Sequence, residues 1–325
     1  MRTAFIRSVM DLASRDPRIV LLTGDLGFAV LDEFRAKHPT QFYNVGVAEQ
    51  NLAGVAAGLA LAGHTVFTYS IGNFPTLRCL EQVRNDICYH NADVKIVTVG
   101  GGLAYGSLGV SHFATEDLAI LRALPNMTVV APGDPVEVAQ LVPQIVQRKG
   151  PVYLRLGRAG EKAMHAPGVE VKLGHLTQAR AGSDVLLLTV GGMLPVALEA
   201  AELLADEGLD AEVVSVHTLK PLDGEQICAL AARFPVVVTC EEHSAIGGLG
   251  GAVAEVLLEA GIGPSFRRFA LPSDFPRGVG SQEYLRKINA LDAPALRGLV
   301  LSLTGAAGER GGRSAQSRFA ARRSG

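Results

Sequence analysis

A glutamate at the start of a helical segment rich in small residues is the side chain best suited to acid–base chemistry. Glu49 begins EQNLAGVAAGLALAG, residues 49–63, whose apolar composition predicts a buried helix. An acidic residue in a first helical turn often serves only to complement the helix dipole. Apolar neighbours such as Val45, Val47 and Leu52 would also exclude water from the carboxyl, which suits a group that holds or donates a proton. These residues alone leave both interpretations of Glu49 open.

Three more candidate side chains follow apolar, strand-like runs. They are Asp25 in TGDLG, Phe74 in YSIGNFPTLRCLEQVRND (69–86) and His112 in GGGLAYGSLGVSHFATEDLAIL (100–121). Core packing would explain Phe74, and a lone histidine is usually a satisfied core or surface residue. Active sites of open α/β sheets, however, gather in the loops at the carboxyl ends of the strands. That location favours a functional interpretation of these side chains.

Two series of apolar runs, separated by helical segments, would position these residues. Strands that are apolar almost throughout and alternate with helices predict parallel sheets covered on both faces. The predicted strands are IVLLTG (19–24), TVFTYS (65–70), VKIVTVG (94–100), MTVVAPG (127–133) and PVYLRLG (151–157) in the first series, and DVLLLTVGG (184–192), AEVVSVHTL (211–219), PVVVTCEE (235–242) and RRFALP (267–272) in the second. The predicted fold class is therefore α/β, with two doubly wound parallel-sheet domains.

Changes in composition predict the domain boundaries. We place a first domain at 1–165, a polar and strand-poor linker at 166–182, and a second, smaller domain at 183–304. The tail at 305–325 is rich in Gly, Arg and Ser and is predicted to be disordered. A nucleic-acid role for so short a basic tail is the weaker interpretation.

Bulk composition argues against several classes of function. The 325 residues are 48% hydrophobic and 19% charged, and the formal net charge of −2 gives no general attraction to nucleic acid or to anionic membranes. The N-terminal segment carries charges throughout, and no unbroken apolar stretch of about 20 residues occurs, so neither a signal peptide nor a membrane span is predicted. Four cysteines without a C-x-x-C pair favour free thiols over zinc ligation. We expect a cytoplasmic protein that binds neither nucleic acid nor membrane.

Several segments, in order along the chain, resemble one family. NVGVAEQNLAGVAAGLALAG (44–63) and ALPNMTVVAPGDPVE (123–137) resemble the pyrimidine-binding domain of transketolases and their split-gene relatives, and the resemblance extends over about residues 1–304. Several segments matching in order are more specific than any single motif. The resemblance implies the C-terminal-half subunit of a split transketolase, in which a pyrimidine-binding domain precedes a transketolase C-terminal domain.

The resemblance also implies roles for individual residues. Glu49 would hydrogen-bond N1′ of thiamin diphosphate and share a proton with it, which promotes formation of the carbon nucleophile. Phe74 would stack on the aminopyrimidine, and Asp25 would lie near the cofactor at the subunit interface. His112 would contact substrate oxygens and assist proton transfer. Arg78, in the same segment as Phe74, is expected to be structural or to lie at an interface.

The substrate pocket implied by the resemblance is less polar than that of an ordinary transketolase. Arg2 and Arg158 match two family arginines that hold a sugar phosphate, a task that suits the paired donors of guanidinium groups. Leu108, however, stands where the family has an aspartate that recognises a substrate hydroxyl. Gly100 and Ala29 lie near the positions of a family histidine and a phosphate-binding serine. We therefore hypothesise a substrate of altered stereochemistry or one that lacks a hydroxyl.

The magnesium motif of the family is missing from this sequence. Mg²⁺ bridges the diphosphate oxygens and requires hard oxygen ligands at fixed spacing, which the family supplies from a G-D-G…N motif. Gly24-Asp25-Leu26-Gly27 lacks the second glycine of that motif and the distant asparagine. We therefore expect an N-terminal-half transketolase subunit to bind Mg²⁺ and the diphosphate, giving an α2β2 assembly with thiamin diphosphate between its chains. No residue of this chain is predicted to ligate the metal.

Other functions fit parts of the sequence. The β subunit of a 2-oxo-acid dehydrogenase E1 component has a similar length, although its glutamate motif normally lacks AEQN. A 1-deoxyxylulose-5-phosphate synthase-like enzyme would use pyruvate as donor. A nicotinamide or flavin binder needs G-x-G-x-x-G directly after a strand, and the loose match in EEHSAIGGLGGAVAEVL (241–257) lacks that context. A non-catalytic regulatory subunit should have lost Glu49 or Phe74, and the chain retains both.

Overall fold

Apolar strands alternate with helices in the computed structural model of the protein, which describes residues 1–305. The strands are β1 (Ile19–Thr23), β2 (Phe42–Asn44), β3 (Thr65–Ile71), β4 (Val94–Val99), β5 (Thr128–Val130), β6 (Val152–Leu156), β7 (Thr177–Arg180), β8 (Val185–Thr189), β9 (Ala211–Ser215), β10 (Thr218–Lys220), β11 (Val236–Ser244) and β12 (Ser265–Leu271). The helices are α1 (Arg2–Ala13), α2 (Asp32–Lys37), α3 (Glu49–Leu61), α4 (Leu80–Gln82), α5 (Asp117–Ala123), α6 (Pro135–Gln147), α7 (Leu194–Ala205), α8 (Gly224–Ala231), α9 (Leu249–Glu259), α10 (Gln282–Ile288) and α11 (293–305). Helix α4 continues into a π-helical turn, Val83–Cys88.

The strands of residues 1–305 form two mostly parallel sheets. Seven strands lie in the order β10-β5-β6-β4-β3-β1-β2, and five lie in the order β12-β11-β8-β9-β7. Neighbouring strands run parallel, except that β10 is antiparallel to β5 and β7 is antiparallel to β9. The predicted α/β class with two doubly wound sheets is confirmed.

Helices cover both faces of the first sheet. On one face, buried side chains of α1 and α6, such as Phe5 and Leu141, pack together with Leu21 and Val97 of the strands. On the opposite face, α3 contributes Leu52 and other small apolar residues to a second buried cluster. Because the central strands are buried on both faces, they are apolar at nearly every position.

One predicted strand is two strands that belong to different sheets. The run at 211–219 divides into β9, which joins the second sheet, and β10, which pairs with β5 at the edge of the first. A segment that follows the second domain's first strands therefore completes the sheet of the first domain. The apolar run hides this division because both pieces are buried.

The predicted linker at 166–182 contains a strand that its polar composition concealed. Strand β7 lies in this segment and pairs antiparallel with β9 at the edge of the second sheet. Only Thr177 of its four residues is buried, since an edge strand can leave one face in water. Strand β2 was also not predicted, because it is three residues long and mostly exposed.

The carboxyl ends of the first sheet's strands hold most of the candidate residues. Asp25 follows β1, Phe74 follows β3, His112 lies in the loop after β4, and Arg158 follows β6. Arg2 instead begins α1. The tail predicted at 305–325 lies outside the described residues apart from its first glycine. Within residues 1–305, no helix combines the length and apolar character needed to cross a membrane.

Candidate functional site

Glu49 is a buried carboxylate at the start of a buried helix. It is the first residue of α3 and is 3% exposed. Glu49 lines a small cavity together with Leu52, Pro75, Cys79 and Ile87. One part of the prediction for this site is wrong, because Val47 is 74% exposed and does not shield the carboxyl. The shielding comes from the segment after β3.

A single arginine contacts both groups that the sequence assigns to the aminopyrimidine. Arg78 Nη1 donates to Glu49 Oε2 at 2.7 Å. The same guanidinium lies over the ring of Phe74, with its central carbon 4.7 Å from the ring centroid. Phe74 itself is half-buried. Arg78 was expected to be structural or to lie at an interface, and its bridge between these two loops was not predicted.

The cysteine beside Glu49 is not a nucleophile. Burial raises the pKa of the Cys79 thiol to about 12, and the negative charge of Glu49 contributes to that rise. A thiol with so high a pKa stays protonated and unreactive at neutral pH.

Asp25 is tied to the loop that leads into Glu49. Its amide N–H donates to Asn44 Oδ1 at 2.9 Å, and Asn44 Nδ2 donates back to Asp25 Oδ1 at 2.9 Å. Asn44 Oδ1 also accepts from the amide of Gly46 at 3.0 Å. Asp25 is exposed and adopts a left-handed conformation, with φ of 58°. Its carboxylate is therefore held at the surface, beside the entry to α3.

His112 lies next to Phe74. The two ring centroids are 5.1 Å apart, and the planes meet at 67°. Asn73 Nδ2 also donates to the carbonyl of Ser111 at 3.4 Å, which joins the two loops. Partial burial lowers the pKa of His112 below its ordinary value of 6.5. At neutral pH its ring is therefore uncharged and able to accept a proton.

Tyr105 connects the histidine with one of the predicted phosphate-binding arginines. Its ring lies 6.5 Å from that of His112, and the guanidinium carbon of Arg158 lies 5.5 Å from the Tyr105 centroid. A Cβ at Gly100 would overlap this ring, and Gly100 also has a φ of +85°. The space near the expected family histidine is therefore filled by a tyrosine from five residues later.

Arg2 lies in the same region. Burial raises the pKa of Tyr69 well above its usual value, while the positive charge of Arg2 opposes that rise and the charge of Tyr105 adds to it. The amino group of Met1, next to Arg2, donates to Glu161 Oε2 at 2.8 Å, three residues after Arg158. The segments that carry Arg2 and Arg158 are therefore adjacent, and their binding of a shared phosphate stays a prediction.

Two positions that depart from the family pattern are exposed. Leu108 is 53% exposed, and it lies in the His112 loop beside Val110, which is also exposed. This loop contacts the second domain, where the amide of Gly280 donates to the carbonyl of Gly106 at 3.2 Å. Ala29 is exposed as well, and its amide donates to the side chain of a residue in the first turn of α2.

A buried ionic cluster contacts the end of the loop that carries His112. Arg155 Nε donates to Asp117 Oδ2 at 2.8 Å, and its Nη2 donates to the carbonyls of Ala114 and Glu242 at 2.6 and 3.1 Å. Tyr153 also donates to Asp117. The sequence prediction missed this cluster, although a charged residue inside the run PVYLRLG was its one visible signal.

Glu241 caps helix α9. Its two carboxylate oxygens accept the amides of Leu249 and Gly250 at 2.7 and 2.8 Å. Residues 1–305 contain no cluster of three His, Cys, Asp or Glu side chains arranged to hold a metal ion.

Family models describe the chain in two parts. The transketolase pyrimidine-binding domain model matches residues 1–160, and the transketolase C-terminal domain model matches residues 174–294. Neither match depends on a single motif, because together they cover most of the chain.

Similar proteins of about the same length are known. The chain is 39% identical to a 6-deoxy-6-sulfo-D-fructose transketolase subunit of a Clostridium species, over 90% of this chain and 91% of that protein. It is 37% identical to an apulose-4-phosphate transketolase subunit of Phocaeicola vulgatus, over 79% of this chain and 83% of that protein. A solved structure described as a split-gene transketolase, inactive beta4 tetramer, superimposes with a TM-score of 0.85 at 39% identity, covering 93% of this chain and 97% of that one.

Proposed function

This chain belongs to the transketolase family, and on that premise we propose that it supplies the pyrimidine-binding half of a thiamin-diphosphate site in a split transketolase. The enzyme would move a two-carbon ketol unit from a ketose or ketose phosphate to an aldose. The observation that carries this proposal is Glu49, a buried carboxylate beside a half-buried aromatic ring, with an arginine bridging the two.

The residues around Glu49 fit an aminopyrimidine. That ring is planar and carries a basic nitrogen at one edge, so it needs a flat aromatic wall and a carboxyl at its edge. Phe74 supplies the wall and Glu49 the carboxyl, and the planar guanidinium of Arg78 touches both. A flat, hydrogen-bonding cation is therefore already accommodated here.

Each residue then has a chemical task. When bound, thiamin diphosphate supplies the carbon nucleophile that breaks and forms the ketol bond. Glu49 would share a proton at N1′ of the cofactor, and Phe74 would fix the ring plane. His112, uncharged at neutral pH and next to Phe74, would accept or donate a proton at a substrate oxygen. Asp25 would adjoin the cofactor where the two subunits meet.

The substrate would carry an anionic group. Arg158 lies over the Tyr105 ring, and Arg2 begins a helix whose first segment contacts the loop after β6, so the two could offer a pair of guanidinium groups to a phosphate or similar oxyanion. Tyr105 and the exposed Leu108 offer fewer hydrogen bonds to sugar hydroxyls than a histidine and an aspartate would. Relatives named for a sulfonated ketose and for apulose 4-phosphate support a substrate outside the common pentose phosphates.

We propose that a partner subunit completes the site. An N-terminal-half transketolase chain would bind Mg²⁺ and the diphosphate, and the two chains would assemble as α2β2 in the cytoplasm, with no role for nucleic acid or membrane. The lack of a G-D-G…N motif in this sequence supports this division. So does a relative described as an inactive beta4 tetramer.

Co-expression tests this proposal. The chain would be produced alone and with a candidate N-terminal-half subunit, and each sample assayed for ketol transfer with Mg²⁺ and thiamin diphosphate. We expect activity from the pair and none from the chain alone. Activity of the isolated chain would contradict the half-site. Turnover of pyruvate without any ketose donor would instead favour a synthase or a dehydrogenase component.

A further inference from the structure

We propose that Arg78 is a place-holder: its guanidinium occupies the aminopyrimidine position in the free chain and is displaced when the cofactor binds. This inference rests on the proposed function, because it assumes that Glu49 and Phe74 receive the pyrimidine ring. It assigns to Arg78 a positioning role, exerted through Glu49 and Phe74.

The Arg78 side chain contacts Glu49 and Phe74 at the same time. Arg78 Nη1 is 2.7 Å from Glu49 Oε2, and the guanidinium carbon is 4.7 Å from the Phe74 centroid. A ring that stacks on Phe74 and hydrogen-bonds Glu49 at its edge would need the same volume. The arginine and the pyrimidine therefore cannot both make these contacts with the same atoms.

The chemistry of the two groups is alike. A guanidinium is flat, places N–H donors in its plane and presents its face to aromatic rings. An aminopyrimidine protonated at N1′ is also flat, with an N–H at its edge and positive charge spread over an amidine unit. The site thus selects for one kind of group, which the chain itself supplies in the absence of cofactor.

The two partners of the ion pair differ in their freedom to move. The side chain of Glu49 is 2% exposed and is fixed at the start of α3, whereas the side chain of Arg78 is 49% exposed. A long arginine side chain can extend into water at little cost, while a buried carboxylate left alone is strongly unfavourable. The arginine is therefore the partner that leaves, and until then it compensates the buried charge.

Binding measurements on the two-subunit enzyme test this role. Thiamin diphosphate with Mg²⁺ would be titrated calorimetrically into complexes carrying wild-type chain, Arg78→Met or Arg84→Met. Arg84 is an exposed arginine six residues later whose guanidinium, within residues 1–305, hydrogen-bonds only its neighbour Asn85, so its variant controls for the loss of a positive charge. We expect Arg78→Met to bind the cofactor about fivefold to tenfold more tightly, because a half-exposed ion pair no longer competes.

The rate of association separates place-holding from a structural role. If Arg78 must leave first, Arg78→Met also raises the association rate constant in stopped-flow experiments, whereas a merely structural loss would lower affinity and thermal stability. Arg78→Lys keeps the charge without the flat donor array, so we expect a smaller gain in affinity; it serves if Arg78→Met does not assemble. Unchanged or weaker binding in the assembled variant would overturn the inference.

A third variant separates this inference from the proposed function. Glu49→Gln should impair turnover whatever Arg78 does. If Glu49→Gln leaves both turnover and cofactor affinity unchanged, the proposed function is wrong. If it abolishes turnover while Arg78→Met fails to tighten binding, only the place-holder is wrong.

Discussion

Glu49 is deeply buried, and its ion-pair partner Arg78 is half-exposed. The residue is 3% exposed, and only the Nη1 of Arg78 pairs with its carboxylate among the side chains of the described residues. A carboxyl so placed can exchange its partner for a ligand without moving itself, which is the requirement for a general acid–base group held in advance.

Replacing Glu49 with glutamine should remove catalysis without removing the fold. Gln keeps the shape but cannot share a proton, and acid–base groups typically contribute about 100-fold or more to the rate. We expect kcat of the two-subunit enzyme to fall by at least ~100-fold. Glu81→Gln, at an exposed position of the same region, is the matched control. Equal kcat values for the two variants would count against an acid–base role.

The pH dependence of activity should follow His112. Because burial lowers the pKa of His112 below 6.5, the neutral ring predominates at neutral pH, and protonation on acidification removes its acceptor. We expect kcat/KM to be level near pH 7 and to decline at a pH below 6.5. His112→Asn should lose this acidic limb, whereas His90→Asn, at an exposed site, should keep it. A limb that persists in His112→Asn assigns the titration to another group.

Two features require a glycine at position 100. Its backbone φ is positive, and the ring of Tyr105 fills the space that a side chain would need. Gly100 and Gly160 both have a φ of +85°, but only at Gly100 would a Cβ meet another side chain. Alanine at Gly160 should cost about 1 kcal/mol through conformation alone. Alanine at Gly100 should cost a further ~1–3 kcal/mol from overpacking against Tyr105. Urea denaturation of both variants measures the difference, and equal losses would show that Tyr105 moves aside freely.

Some residues of the candidate site could be predicted from the sequence, and others could not. The positions of Glu49, Phe74 and His112 followed from motifs in order, and the structure brings these three side chains together through Arg78 and adjoining loops. Arg78 was missed because its partner lies 29 residues away, and no local pattern encodes that approach. Val47 was misjudged because helical periodicity does not apply to the turn before α3. The roles of these residues in catalysis stay predictions.

At the scale of elements, long strands were predictable and short edges were not. The central strands are buried on both faces and mostly apolar, which leaves a strong signal in the sequence. Strands β2, β7 and β10 are three or four residues long, and their pairing is decided by neighbours far along the chain. Composition therefore predicted the sheets but not where each sheet ends.

The Asp117–Arg155 pair joins α5 to β6 inside the protein. Both side chains are less than 5% exposed, so Asp117→Asn would leave a buried guanidinium without its counter-charge. We expect a loss of about 3–5 kcal/mol in the free energy of unfolding. Asp11→Asn, at an exposed position of α1, breaks a surface pair with Arg15 just beyond the helix and should change stability by less than ~1 kcal/mol. Similar losses in both variants, measured by denaturant titration, would argue that the buried pair contributes nothing special.

At the scale of the whole molecule, buried carboxyls should make stability depend on pH. Burial raises the pKa of Glu137 and of Glu241 to about 7, from an ordinary 4.5. The folded state then binds more protons than the unfolded state between these values, so this stability is present below pH 4.5 and is lost as pH rises through 7. The raised pKa of His165, between Asp134 and Glu137, acts in the same direction.

Burial lowers the pKa of His217 from 6.5 to about 3, which opposes this trend below pH 6.5. We therefore expect the free energy of unfolding to fall by roughly 1–3 kcal/mol between about pH 6.5 and 8. Denaturation at fixed protein concentration and several pH values measures the slope. Glu137→Gln should flatten it, because one of the titrating groups is gone. A slope of the opposite sign would mean that these carboxyls are ionised in the folded protein.

The pairing of β10 with β5 affects how the chain folds during its synthesis and where its gene could be divided. When a ribosome has released the residues up to β6, the backbone of β5 still offers an open row of hydrogen-bonding groups, because its neighbour arrives only with residues 218–220. Bare strand edges recruit other chains, so the nascent first half is exposed to mispairing until much of the second half has emerged. The same dependence makes the boundary between the two domains a poor place for a gene to be cut.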